Sequence, residues 1–388
     1  MTETFANVKL RFQKVSRAKN KSLSARPSGP GRHLPEGESV PEQPVRARLV
    51  DVAHAAGVSK ATVSKVLNGR QDLSVRPETR RRIHEVAEEL GYRPHSGARA
   101  LAGASTHAVA LLIPALANPT YVTIARGAYQ RARELGYLSL LAEDFDGQEA
   151  DGSFSDLVQE GRVDGLLIAS ARPGHPLLET LSRSPVPHVF LNRSVEGSGR
   201  NVTMDVARSS VTALDHLHGL GHRAVGHIAG PPGITPSEVR KEAFLRHADA
   251  LGLDAAPVAS GDFTEDGGGF AARELLRPPA GSARPPVTAL YTSSLAQAIG
   301  AMAAIRDLGL RIPQDVSVVG NDDLPVAAHL HPPLTTVAMP LYELGTAAVD
   351  ALVATIEGRP VGDVVVPTEP RLVLRGSTAR PAGPGGTP

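Results

Sequence analysis

Residues 49–68, LVDVAHAAGVSKATVSKVLN, gather side chains suited to reading a nucleic-acid duplex. Lys60 and Lys65 can donate to guanine acceptors, and Ala61 can pack on a thymine methyl. Ser59, Thr62 and Asn68 suit phosphate oxygens, contacts that position a protein on a duplex without specifying sequence. Such groups work together only if one short helix presents them. The spacing predicts a first helix from about Leu49, a tight turn at Gly57-Val58-Ser59, and a second helix beginning near Lys60: a helix-turn-helix. Gly57 can take the positive φ that the turn needs, and Ser59 can accept an amide hydrogen bond as N-cap. Val52, Ala53, Ala56, Val58, Val63, Val66 and Leu67 form the internal seam. That leaves Lys60, Ala61, Ser64 and Lys65 facing outward near the start of the second helix, where a recognition helix meets the major groove. A third helix is expected over about 77–90, with Pro77 at its start and Gly91 past its end.

A second set of polar residues recurs at the ends of short apolar runs. From about His107 the chain alternates runs such as VALLIPAL, VDGLLIAS, PHVFLN, AVGHIAG, VTALYTS and VSVVGND with helix-like segments, which predicts parallel, doubly wound α/β sheets. The runs end at Asn118, at Asn192 with Arg193, at Ser293, and at Asn321 with Asp322. Open parallel sheets bind ligands beyond the carboxyl ends of their strands, so these tips predict a pocket rim. His216, His218 and His222 invite a zinc reading, but Gly219 and Gly221 end the helix between the last two, and no carboxylate or cysteine completes a site. Surface helix histidines, and no metal, are expected. The tract GDFTEDGGGF has glycines, yet it follows a loop and lacks dinucleotide-binding spacing. With no GxxxxGK[ST], GxSxG or HExxH in the chain, neither enzymatic activity nor a cofactor is expected.

The 388 residues exceed one ordinary core, so two or more folded units are expected. Lys and Arg number 41 against 40 Asp and Glu, which excludes a uniformly basic coat and leaves room for a local basic module. The absence of cysteine removes disulfides, thiolate nucleophiles and cysteine metal sites. Residues 1–46, basic and then rich in Pro, Gly, Ser and Glu, predict a disordered arm. No stretch there suits a signal peptide, and nowhere do about 18 uncharged apolar residues run together. A cytoplasmic, nucleoid-associated protein without a membrane partner is therefore expected. Residues 379–388 read as a flexible tail without leucine heptads.

From residue 51 onward the chain resembles the lactose-repressor family of bacterial transcriptional regulators. That family opens close to DVA-x-x-AGVS-x-x-TVS-[RK]-VLN, followed by TR, a helix and L-GY-x-P. The resemblance continues through NP-x-Y at 118–121, GY at 136, VDGLLI at 163, GH at 221, an arginine at 240, IPQDVSVVG-x-DD at 312–323 and PPLTTV at 332–337. It implies a multidomain fold: an N-terminal all-α helix-turn-helix headpiece (47–92), a hinge (93–106) and an α/β periplasmic-binding-protein-like core of two doubly wound lobes (107–378). Lobe one would take about 107–204 and 338–365, and lobe two about 205–336 and 367–378, with crossovers near 205, 337 and 366.

The resemblance further implies a homodimer on a pseudo-palindromic double-stranded DNA operator, with repression as the default. Control would come from a small-molecule effector, a sugar or related metabolite, held between the lobes. Leu101 falls where the family's hinge inserts an apolar wedge into the minor groove. Gly97 lowers helix propensity in that hinge, so its folding should lean on DNA. Arg240 resembles the family's ligand-clamping arginine, Asp322 its acceptor for ligand hydroxyl or amino groups, and Phe263 its stacking platform, while Asn118 and Tyr121 would add contacts from the other lobe. Ser293-Ser294 stands where the family typically has Asn-Asp, so an effector less polyhydroxylated than a common sugar is expected. Arg48 replaces the family's capping threonine, losing the cap yet keeping a phosphate partner. The competing reading, a solute-binding protein without a DNA-reading role, shares the two-lobed fold but has no use for residues 49–92.

Overall fold

The computed structural model of the protein describes residues 47–67, 75–92, 105–144, 161–183, 185–277 and 285–382. The arm at 1–46, Asn68, and the hinge through residue 104 with Leu101 lie outside the described residues. The chain divides into two compact units, a small one holding residues up to Ser64 and from Ser74 to Tyr92, and a large one holding Lys65–Leu73 and everything from Arg93.

The small unit contains α1 (Leu49–Ala55), the start of α2 (Lys60–Leu67) and α3 (Pro77–Glu89). Val52, Ala53, Ala56, Val63, Ile83 and Ala87 are buried, at the three- and four-residue spacing that gives each short helix one apolar stripe. The turn is made by Gly57 at φ +63°, with the Val58 amide donating to Ala53 O at 3.1 Å. The Thr62 amide donates to Ser59 Oγ at 3.1 Å, so Ser59 caps α2. Arg48 has no acceptor to offer α1; instead the Asp51 carboxylate accepts from the Arg48 amide at 2.7 Å, half of a capping box. Tyr92 N–H to Ala87 O (2.8 Å) and Gly91 N–H to Glu88 O (3.0 Å) close α3.

The large unit runs β1 (Ala108–Ile113), α4 (Pro119–Glu134), β2 (Leu138–Glu143), β3 (Gly165–Ile168), α5 (Pro176–Ser182), β4 (His188–Leu191), β5 (Asn201–Thr203), α6 (Val206–Gly219), β6 (Val225–Ala229), α7 (Thr235–Ala250), β7 (Val258–Ser260), α8 (Glu265–Leu276), β8 (Ala289–Thr292), α9 (Leu295–Asp307), β9 (Ser317–Asn321), a 3-10 turn (Pro325–His329), β10 (Thr335–Ala338), α10 (Leu341–Ile356), β11 (Val364–Val365) and β12 (Arg371–Val373). These strands form two sheets, ordered β11-β5-β4-β3-β1-β2 and β12-β10-β9-β8-β6-β7. All pairings are parallel except β12 against β10. β1, β3, β6, β8 and β9 are buried along their whole length, as strands covered by helices on both faces must be, which is why they read as unbroken apolar runs. The chain passes between lobes at Met204–Asp205, after β10, and after β11. Among the described residues no helix is long and apolar enough to cross a membrane.

Helix packing explains the glycine tract. GDFTEDGGGF follows the edge strand β7, not a loop, and opens α8, capped by Thr264. A Cβ on Gly268 would collide with the Gln297 carbonyl, and one on Gly300 with the Glu265 carbonyl. These glycines let α8 and α9 approach backbone to backbone rather than cradle a phosphate. Two other expectations need correction. His222 is buried, not on the surface, because Thr288 Oγ1 (2.9 Å), Ser317 Oγ (3.1 Å) and Ala379 O (2.9 Å) surround its ring. Ala379, assigned to the flexible tail, is tied down by that bond and by its own amide to Ser317 Oγ at 3.0 Å. No cluster of three or more metal-ligating side chains occurs among the described residues.

His227 lies fully buried in β6, stacked between Phe244 (4.8 Å between centroids) and Tyr291 (4.9 Å), with Nδ1 donating to Tyr291 O at 3.1 Å. Burial, helped by the charges of Arg240 and Lys241, holds its pKa down at about 3. In the unfolded chain the ring takes a proton near pH 6.5, so below that pH the unfolded state binds a proton the native state refuses. Stability is then full above pH 6.5 and falls as pH drops toward 3, by up to about 1.4 kcal/mol per unit. His188, His216 and His222, lowered chiefly by burial, act in the same direction. Urea unfolding at pH 7.5 and 5.5 should therefore differ by about 1 kcal/mol or more; equal midpoints would show that His227 charges freely in the fold.

Candidate functional site

In the small unit the cap at Ser59 orients the start of α2, and the burial of Val63 decides which face turns away from the core. Ser59, Lys60, Ala61 and Lys65 are exposed, and Thr62 and Ser64 half-buried. Ser59 Oγ and Thr62 Oγ1 share a hydrogen bond at 2.8 Å, so these two hydroxyls lie side by side at the helix N-terminus. An amino-terminal turn with two hydroxyls and an adjacent ammonium suits a phosphate oxygen. Arg48 is exposed at the start of α1, its Nε 3.7 Å from Asp51. Of the residues expected to face DNA, Asn68 and Leu101 lie outside the described residues.

In the large unit the strand tips of both lobes line one cavity. Asn118, Tyr121, Arg240, Phe263, Ser293 and Asp322, named separately in the sequence, all border it. Asn118 also caps α4, its Oδ1 accepting from the Thr120 amide at 3.1 Å. Phe263 is carried by the loop after β7, which Gln297 holds: its buried Nε2 donates to Ala229 O and Gly261 O at 3.0 Å and to Asp262 O at 3.2 Å. Ser293 Oγ lies 3.4 Å from His227 Nε2, and Ser294 caps α9.

Asp322 is the most constrained member. It follows β9 with φ at +71°, a left-handed conformation that non-glycine residues hold only where the surroundings impose it. Asn192, also on the cavity, has φ +64°. The Asp322 carboxylate accepts from Thr120 Oγ1 at 2.7 Å and from Asn321 Nδ2 at 2.9 Å. The first bond crosses between lobes, tying the N-terminus of α4 to the tip of β9. Burial pushes the Asp322 carboxyl up from the ordinary range, opposed by the Arg240 charge and the two donors.

Asn192, Arg193 and Ser294, named in the sequence at the strand tips, also border the cavity, and sequence reasoning left out Thr120, Met204, Ile234, Pro236 and Leu341. Asn192 and Arg193 stood at a strand tip, which was signal enough. Leu341, at the start of α10, comes from a segment with no local mark of a site.

A capped reading helix in one unit and a two-lobed cleft in the other define a ligand-responsive DNA-binding protein. Residues 48–95 match the family model described as bacterial regulatory proteins, lacI family, and residues 214–378 match a periplasmic binding protein-like domain. The HTH-type transcriptional repressor CytR of Escherichia coli K12 is 31% identical over 341 residues, 87% of this chain and 98% of that protein. The ribose operon repressor of the same organism is 34% identical over 336 residues, 85% of this chain and 99% of that protein. Among solved structures, the lac repressor dimer bound to operator and an anti-inducer aligns with a TM-score of 0.72 at 27% identity, covering 86% of this chain and all of that one. A LacI family regulator from Mycobacterium smegmatis aligns at 0.64 and 30%, covering 71% and 100%. The chain belongs to the lacI family of bacterial regulatory proteins, and it is a DNA-binding transcriptional regulator with an effector-binding domain.

Proposed function

We propose that this regulator is a repressor that binds a pseudo-palindromic operator as a homodimer and is released from or recruited to it by a small-molecule effector, a sugar or related metabolite. Lys60, Ala61, Ser64 and Lys65 read base edges, and Arg48, Ser59, Thr62 and Asn68 hold phosphates. Leu101 wedges into the minor groove from the hinge. Asn118, Tyr121, Arg240, Phe263, Ser293 and Asp322 bind the effector. The protein works on nucleoid DNA in the cytoplasm and catalyses no reaction. Repression follows the relatives, which bear the name repressor; a sugar follows the ribose operon relative and neighbours solved with cellobiose and ribose.

The Thr120–Asp322 bond carries the control part of this reading. An effector shifts an equilibrium only by its preference between two states, and this cross-lobe bond favours the arrangement of the lobes that it spans, so a ligand that competes for or reinforces it biases that arrangement.

Selection of genomic fragments on the purified protein at fixed salt tests the DNA part, because phosphate contacts make affinity salt-dependent. One pseudo-palindrome is expected. Lys60→Ala should weaken it by about 1–3 kcal/mol, roughly 5- to 150-fold, and relax the base preference at one position of each half-site. Recovery of sequence-independent binding alone would refute the operator reading.

A further inference from the structure

We propose that the cleft selects a polar ligand bearing an oxyanion, a carboxylate or a phosphate, and that Arg193 selects for it together with Arg240. The inference rests on the effector-binding reading above and names the chemical class of that effector. Arg193 and Arg240 reach the cavity from opposite lobes, one just past the tip of β4 and the other from α7, and are only 6% and 5% exposed. Among the described residues neither forms an ion pair. Arg193 Nη1 makes one long bond, to Ser170 O at 3.3 Å, and its buried Nε has no partner. The buried Nε of Arg240 has none either. Guanidinium groups stay charged in proteins, and buried polar groups are otherwise paired, since a charge withheld from water and counter-charge is costly.

The described lining offers one carboxylate, Asp322, and both its oxygens are already engaged, by Thr120 and Asn321. Burial also pushes that carboxyl toward its neutral form. Asn118, Thr120, Tyr121, Asn192, Ser293 and Ser294 supply donors and acceptors but no charge. Two cations thus face at most one anion. A ligand oxyanion supplies the missing charge in the planar, two-pronged geometry that a guanidinium fork prefers. A neutral sugar satisfies the hydroxyl partners and leaves Arg193 without counter-charge.

Melting of the full-length protein tests this with matched compounds: D-glucose against D-glucuronate and D-glucose 6-phosphate, D-galactose against D-galacturonate, and D-ribose against D-ribonate and D-ribose 5-phosphate. At least one anionic compound is expected to bind tenfold or more tightly than its neutral parent, and the carboxylate and phosphate arms tell the two oxyanions apart. Arg193→Gln should abolish the preference, and Arg193→Lys, which keeps the charge, should retain most of it. Neutral sugars binding as tightly as their anionic counterparts, or a preference that survives Arg193→Gln, overturns the inference and leaves the effector reading standing. A panel in which no compound, charged or neutral, shifts the melting removes the effector reading and this inference with it.

Discussion

Arg240→Ala is expected to weaken effector binding by about 30-fold or more while leaving the melting of the free protein within about 2 °C of the wild type. Truncating one partner of a buried, charge-assisted pair costs roughly 2–5 kcal/mol, and about 1.4 kcal/mol is tenfold in affinity. The opposite expectation for the free protein comes from the same side chain. Among the described residues the Arg240 guanidinium makes no hydrogen bond, and its buried Nε has no partner, so its removal relieves a buried charge rather than breaking a network. The side chain borders the cavity, so its removal enlarges a space already present rather than opening a new one inside the core. Melting curves with and without a stabilising compound separate the two effects. Operator binding without effector should be retained, whereas the response to effector disappears. A variant that melts several degrees low would identify Arg240 as a structural strut.

Gly300→Ala is expected to destabilise the core by about 3 kcal/mol, lowering the melting temperature by roughly 6–12 °C. The added Cβ would meet the Glu265 carbonyl carbon at 2.6 Å and the Gly269 amide nitrogen at 2.9 Å. These are backbone atoms, which cannot rotate away as a side chain would, so α8 and α9 must separate. Both helices bury most of one face, and separation uncovers apolar surface along the crossing. The loop carrying Phe263 hangs from Gln297 on α9, so the variant should also bind effector less tightly even where it remains folded. Gly219→Ala is the control: nothing lies within 4 Å of the position, and stability should stay level or rise by a few tenths of a kcal/mol. Equal melting of the two variants would mean that the α8–α9 crossing yields without cost.

Much of the fold was legible because its signals are local. A buried parallel strand writes itself as an unbroken apolar run, and VALLIPAL, AVGHIAG and VSVVGND became β1, β6 and β9. The turn at Gly57 and the cap at Ser59 were readable for the same reason, since a tight turn and a helix N-terminus are satisfied within a few residues. Where local chemistry was ambiguous, reading along the chain misled. GDFTEDGGGF read as a tract following a loop, yet the atoms that require Gly268 belong to Gln297 in the next helix, and Gly300 of that helix is required in turn by the Glu265 carbonyl. His222 looked exposed beside two glycines, yet Thr288, Ser317 and Ala379 enclose it from far along the chain.

The sequence by itself determined the order of elements, the helix that presents Lys60 and Ala61, and the strand tips that bear Arg240's neighbours around the cleft, because periodicity, caps and turns are properties of short segments. Only the tertiary structure decided which tips share a charge balance. Thr120 and Asp322 stand 202 positions apart and meet at 2.7 Å, and Arg193 and Arg240 line one cavity from two lobes, because a parallel sheet brings the ends of distant strands to one edge while the chain between them runs through helices.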